Sequence, residues 1–241
     1  MLARRRVASF LKELGSLEGA DVRLLVSLLA LVFCVWVFVT VADQVTVGRT
    51  QNIDERLMLG LRDPGDLSQP RGPYWLRGAV RDLTALGSAP VLALFVLAVA
   101  GALEVRRQHH AAALLLAATV GGILLNDLLK GLFGRPRPDV ALHLTEVRSL
   151  SFPSGHAMES AIIYLTLAAL LARLVQTRVL KLYFVGCAVV LTLIVGVSRV
   201  YLGVHYPSDV LAGWTAGLAW ALLCWTVVSH LQRRGSVEPP K

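Results

Sequence analysis

Residues 152–174 read FPSGHAMESAIIYLTLAALLARL, and the join inside that stretch decides the fold. From Ala157 to Leu174 the chain is apolar over close to the ~20 residues that a helix needs to cross a hydrocarbon core. Such a run can satisfy its own backbone in lipid only as a helix. Directly before it stands a polar island, Pro153-Ser154-Gly155-His156, so this span carries a hydroxyl, a glycine and an imidazole at its mouth.

Working outward, comparable runs recur at Leu24–Val41, Pro90–Leu103, Ala111–Leu129, Leu182–Val197 and Val210–Val228. The second is short and borrows from Leu83–Ser88; the fifth starts near Lys181. The fold expected is therefore all-α: an integral membrane bundle of six transmembrane helices, with short interfacial helices between the first and second spans. Counts of five or seven are the neighbouring alternatives. A chain of 241 residues that is 55% hydrophobic, with mean hydropathy +0.62, lies outside the composition of ordinary soluble domains.

Charge sets an orientation. Arg4-Arg5-Arg6 with Lys12, Arg106-Arg107, Arg173 with Arg178 and Lys181, and Arg233-Arg234 all fall on one side if the spans alternate, and that side is cytoplasmic by the bias of Lys and Arg. The segment Asp43–Gly87 balances its arginines with aspartates and glutamate and is expected outside. There, Asp63-Pro64-Gly65-Asp66 and Gln69-Pro70-Arg71-Gly72-Pro73 break it into short helices, and Tyr74 and Trp75 anchor it at the interface. The net charge of +8 reads as topology plus attraction to anionic headgroups; no nucleic-acid motif is present. The start is not a signal peptide, because its basic region is too extended and its apolar run too long. Residues 1–22 are expected to form a cytoplasmic amphipathic segment, with a plain helical extension as the alternative, 23–232 the transmembrane domain with its motif-bearing part at about 83–230, and 233–241 a disordered cytoplasmic tail. Cys34, Cys187 and Cys224 lie in different apolar runs without metal-like spacing and read as small core residues.

Two further islands stand at span mouths: Lys130 with Arg137-Pro138, and Ser198-Arg199 with His205 and Asp209. With alternating spans, all three islands meet on the outer face. Charges at membrane boundaries are expensive, and function is the default reason to keep them. Pro136 and Pro138 hold Arg135 and Arg137 in extended backbone, which suits a guanidinium fork on phosphate; Arg135 is the weaker candidate. Ser154 is placed to cap the helix that follows, Gly155 lets a ligand approach the backbone, and the first-turn amides form an anion site. A carboxylate at Asp209 can hold the tautomer of His205 and leave its other nitrogen as a nucleophile.

These residues resemble the type 2 phosphatidic acid phosphatases, the lipid phosphate phosphatases related to vanadium haloperoxidases. That family's three motifs, Lys-x6-Arg-Pro, Pro-Ser-Gly-His and Ser-Arg-x5-His-x3-Asp, fall on Lys130 to Pro138, Pro153 to His156 and Ser198 to Asp209 without a departure. The resemblance implies a metal-free, cofactor-free lipid phosphatase of the inner (plasma) membrane. In it, His205 attacks phosphorus to form a phosphohistidine, His156 protonates the leaving oxygen and later activates water, and Asp209 orients His205. Lys130, Arg137, Arg199, Ser154 and Gly155 would bind the phosphoryl oxygens, and no metal site is implied.

Asp127, three residues before Lys130 on one helical face, is expected to pair with it. Glu159 is placed to tune His156 or to contact substrate. A pocket beside the outer leaflet suits a lipid that arrives sideways; phosphatidic acid, phosphatidylglycerol phosphate, polyprenyl diphosphate and lipid A phosphate all fit. The competing readings are a lipid flippase, against which the cations gather at one face, and a vanadate-dependent haloperoxidase, against which six apolar spans argue. Partners are thus the lipid phosphate substrate and the bilayer, with oligomeric state open.

Overall fold

The computed structural model describes residues 19–139, 144 and 149–233. Most of the expected amphipathic N-terminal segment (1–18) and the expected tail (from 234) lie outside them. The elements are α1 (Gly19–Thr46), α2 (Gln51–Leu59), β1 (Arg62–Asp63), β2 (Asp66–Pro70), α3 (Tyr74–Thr84), a 3-10 turn (Ala85–Gly87), α4 (Ala89–Val105), α5 (His109–Phe133), α6 (Gly155–Leu174), α7 (Arg178–Tyr201) and α8 (Pro207–Arg233).

Among the described residues, five helices (α1, α5, α6, α7, α8) are long and apolar enough to cross a membrane, and α3 with its turn plus α4, bent by 48°, makes a sixth when the pair is counted as one span. The bend falls where the second run had to borrow length. Ser88 is extended there (φ −78, ψ 146), and Pro90 has no N–H with which to continue a helix across the break.

The segment between the first two spans differs from the expectation of short helices alone, since β1 and β2 pair antiparallel with Asp63 opposite Asp66. Turn chemistry explains it: Asp63 Oδ1 accepts from Gly65 N at 2.8 Å, and Asp66 Oδ1 from Ser68 N at 2.9 Å, the side-chain-to-backbone bonds that favour a reversal over a helix. Tyr74 and Trp75 stand exposed. Arg62 is buried, its guanidinium has no hydrogen-bond partner among the described residues, and nothing in those residues explains it.

α6 lies at the centre, with α5, α7 and α8 packed on it, while α1 packs on α8 and α4 on α5. Lipid offers little hydrophobic drive between helices, so close approach through small residues must hold them. Ala157 and Ala161 of α6 face Gly213 and Gly217 of α8: a Cβ on Gly213 would lie 2.6 Å from Ser154 O and 3.0 Å from Ala157 Cβ, and one on Gly217 2.9 Å from Ala161 Cβ. Trp220 Nε1 donates to Ala118 O at 2.8 Å and Trp214 Nε1 to Thr192 O at 3.1 Å, tying α8 to α5 and α7. On α1, Val26, Leu29, Val32 and Trp36 are exposed; so wide an apolar surface is tolerable only against lipid. The three cysteines are free.

Candidate active site

Four helix termini meet at one end of the bundle: the end of α5, the start of α6, the end of α7 and the start of α8. α5 stops at Gly134, whose left-handed conformation (φ 59) accompanies a bond from its N–H to Lys130 O at 3.0 Å, a usual glycine stop. The turn sends Arg135-Pro136-Arg137 back across the helix ends. Pro207 starts α8, and Asp209 O accepts from Ser154 N at 3.0 Å, joining the starts of α6 and α8.

Arg135 and Arg137 part company here. Arg135 is buried and donates from Nη1 to Asp209 Oδ1 (2.6 Å) and Ser208 Oγ (2.8 Å), and from Nη2 to Asp54 Oδ2 (2.9 Å) and Gln51 Oε1 (3.3 Å). Its guanidinium also lies 4.1 Å from the centre of the Tyr206 ring. Among the described residues only its Nε–H is left uncommitted, so Arg135 is a tie between α2 and α8. Arg137, in contrast, is half-exposed and donates to Ser149 O (2.6 Å), Ser149 Oγ (3.1 Å) and Val204 O (2.7 Å), with Nη1 3.1 Å from His205 Nε2.

That last contact fixes the state of His205. A guanidinium can only donate, so Nε2 presents its lone pair and the ring proton sits on Nδ1. Nδ1 lies 3.3 Å from Ser151 Oγ and 3.5 Å from Asp209 Oδ2. The latter is long for a hydrogen bond; Ser151, whose hydroxyl also donates to Asp209 Oδ2, stands within reach of both. Asp209 is fully buried and accepts in addition from Tyr206 N at 2.9 Å. Burial pushes the His205 imidazole down to about 3, against the pull of Asp209 and with the push of Arg137 and Arg199. At neutral pH it is uncharged.

The other candidates converge on the same place. Lys130 Nζ donates to Leu150 O at 2.6 Å and reaches Ser149 Oγ at 3.5 Å; Asp127 is exposed, so the segment 149–150 sets the amine, not the expected carboxylate. Arg199 is buried with Nη1 on Thr84 Oγ1 at 3.2 Å, while its Nε has no partner among the described residues. Ser154 occupies the N-cap position of α6, but its hydroxyl makes no capping bond and is buried without a partner among the described residues. His156 lies in the electrostatic reach of Arg199, His205, Arg137 and Lys130. A Cβ on Gly155 would meet Asn126 Nδ2 at 3.0 Å, and Asn126 in turn reaches Glu159 Oε1 at 3.5 Å. The residues missed by sequence reasoning are Ser149, Ser151, Thr84, Asn126, Gln51 and Asp54; none lies in a pattern that marks it.

The result is a cluster of fixed cations with two buried donors that lack partners among the described residues and one imidazole lone pair. The PAP2 superfamily model matches residues 111–233, the part of the chain that carries every one of these motifs. The chain belongs to the PAP2 superfamily. This PAP2 chain is 34% identical over 146 residues to phosphatidylglycerophosphatase B of Bacillus subtilis (strain 168), covering 60% of this chain and 71% of the relative. It is likewise 34% identical over 141 residues to decaprenylphosphoryl-5-phosphoribose phosphatase of Mycobacterium tuberculosis, covering 57% of this chain and 73% of that one. The crystal structure of the transmembrane PAP2 type phosphatidylglycerolphosphate phosphatase from Bacillus subtilis superposes with a TM-score of 0.73 at 30% identity, over 84% of this chain and 98% of that chain. The PAP2 fold is thus carried here as an all-α membrane bundle.

Proposed function

We propose that this chain, a membrane lipid phosphate phosphatase, cleaves a lipid phosphomonoester through a phosphohistidine on His205. The supporting observation is the state of that ring: neutral, its Nε2 lone pair turned to Arg137 at 3.1 Å, its Nδ1 backed by Ser151 and Asp209. In the reaction, the Nε2 lone pair attacks phosphorus in line and the P–O bond to the lipid breaks. His156, protonated beside the bound phosphate, hands its proton to the leaving oxygen. His156 then takes a proton from water, whose oxygen attacks phosphorus and breaks the N–P bond, releasing phosphate and restoring His205.

A monoester phosphate carries about −1.5 to −2 charge at pH 7. Lys130, Arg137 and Arg199 supply the opposing charge from positions already held by backbone carbonyls and Thr84, so little reorganisation is needed as charge moves in the transition state. Ser154 Oγ and Arg199 Nε, unpartnered among the described residues, gain acceptors when the phosphoryl oxygens arrive. Asp209 and Ser151 act through His205.

The reading favours a glycerophospholipid phosphate of the phosphatidylglycerol phosphate type, supported by the named relative and solved structure; a polyprenyl-linked phosphate is the second reading, supported by the mycobacterial relative. The active site faces outward and the termini inward, a reading supported by the concentration of Arg106, Arg107, Arg173, Arg178 and Lys181 at the opposite helix ends.

Phosphate release from a panel of lipid phosphates, measured for purified protein in detergent with EDTA, tests this. Release should persist with chelator and vanish in His205→Ala. Full activity in His205→Ala removes the nucleophile, and transport without hydrolysis favours the flippase.

A further inference from the structure

A cavity of about 960 Å³ lies between α4 and α7, with α6 as its floor, at the upper end of the size of ligand sites. Its walls are apolar: Phe95, Val99 and Leu103 from α4, Leu167 from α6, Phe184 and Leu191 from α7. Toward the phosphate pocket it ends at Tyr164, whose hydroxyl donates to Leu86 O at 2.7 Å. None of Lys130, Arg137, Ser154, His156, Arg199, His205 or Asp209 lines it. At its other end stand Arg106, Arg107 and Arg173.

Length decides what could fill it. At 1.5 Å per residue, His156 and Arg173 lie roughly 26 Å apart along α6, close to a whole hydrocarbon core of about 30 Å. A phosphate at this basic mouth is not the one beside His205. From Arg173 back to Tyr164 is roughly 14 Å, the depth of one leaflet's chains in a core of about 30 Å.

The mouth has the charge to match. No carboxylate pairs with Arg106, Arg107 or Arg173 among the described residues; Glu104, in the same connection, is engaged by His109 at 2.6 Å. Arg173 lies over the Trp225 ring at 4.1 Å. Arg107 holds a left-handed backbone (φ 56), a conformation in which glycine is the easier residue. Orientation by positive charge accounts for the arginines but not for an apolar slot of one-leaflet depth opening beside them.

We propose that this cavity binds an anionic phospholipid of the leaflet opposite the phosphate pocket, with an acyl chain in the slot and the phosphodiester on Arg106, Arg107 and Arg173. The lipid is a ligand and not a substrate, so the proposal stands apart from the hydrolytic reading.

Native mass spectrometry of the full chain, given palmitoyl-oleoyl phosphatidylglycerol or the matching phosphatidylcholine, reads retention without reading hydrolysis. The wild type should retain one phosphatidylglycerol in preference to phosphatidylcholine by about tenfold or more, given what each basic residue contributes near anionic headgroups. The Arg106→Gln/Arg107→Gln/Arg173→Gln variant should lose that preference, and Leu167→Trp, which fills the slot, should lose both lipids while both variants still hydrolyse a short-chain lipid phosphate. An unchanged preference in the triple variant overturns the proposal. So does a Leu167→Trp protein that keeps phosphatidylglycerol yet shows a raised KM for long-chain substrates only, since the slot would then hold the substrate's tail. Should Leu167→Trp fail to fold, the rise in thermal midpoint caused by phosphatidylglycerol decides: lost in the triple variant, the proposal holds; retained, it fails.

Discussion

Arg135 and Arg137 sit two residues apart in one Arg-Pro-Arg-Pro run, and replacing them should fail in opposite ways. Arg135→Met strands Asp54 and Asp209, which are 2% and 0% exposed, without their shared cation. Removing one member of a buried pair costs on the order of 3–5 kcal/mol. Asp54 keeps bonds from Ser208 N, at 3.0 Å, and Ser208 Oγ, so the lower end applies: about 3 kcal/mol, or roughly 6–12 °C in thermal midpoint for a chain of this size. Arg137→Ala removes a half-exposed side chain that contacts carbonyls and His205; its stability change should stay within about 1 kcal/mol while phosphate release falls by about 10²–10³. The assays are thermal unfolding in detergent and phosphate release on the same preparations. Adding Asp54→Asn to Arg135→Met should recover part of the loss, with a coupling of about 0.5–3 kcal/mol. An Arg135→Met protein that melts with the wild type but has lost its affinity for substrate refutes the reasoning, because Arg135 would then be a phosphate ligand.

Ser151→Ala removes the hydroxyl shared by His205 and Asp209; at about 1.5–3 kcal/mol for a hydrogen bond to a charged group, kcat should drop by roughly 10–100-fold with KM little changed in steady-state assays. His205, at about 3 in the folded chain against an ordinary value near 6.5, binds fewer protons folded than unfolded between those two pH values, so stability falls as pH drops through that window. His205→Gln should flatten this acid limb in melts taken from pH 7 to pH 4, and an unaltered limb would show that the ring is not held neutral. Gly213→Val should destabilise by about 1–3 kcal/mol or more, since its side chain meets the Ser154 carbonyl; wild-type thermal stability would mean that α6 and α8 do not pack this closely.

Spans and islands were legible because both are local signals: a run of apolar residues declares itself, and so does a motif at its mouth. Convergence at one end followed from alternation alone. The roles of Arg135 and Arg137 were not legible, because Asp54 and Gln51, which claim Arg135, lie in α2 some eighty residues earlier, and no periodicity links them. Ser151 was invisible for a similar reason: a serine beside a phenylalanine and a proline has many uses, and only the approach of α8 brings Asp209 and His205 against it. The hairpin at 62–70 was hidden by turn residues that also end helices. The cavity could not be read at all, since it depends on how α4 and α7 flank α6.

The most direct measurement is a search for phosphate bonded to His205 by peptide mass spectrometry, on wild-type protein mixed with lipid phosphate and quenched at alkaline pH during turnover. An N-linked phosphate on the peptide that contains His205, labile in acid and absent from His205→Ala, is the result expected. Turnover with no such adduct on His205 at any quench time, or with the adduct on another residue, contradicts the assignment.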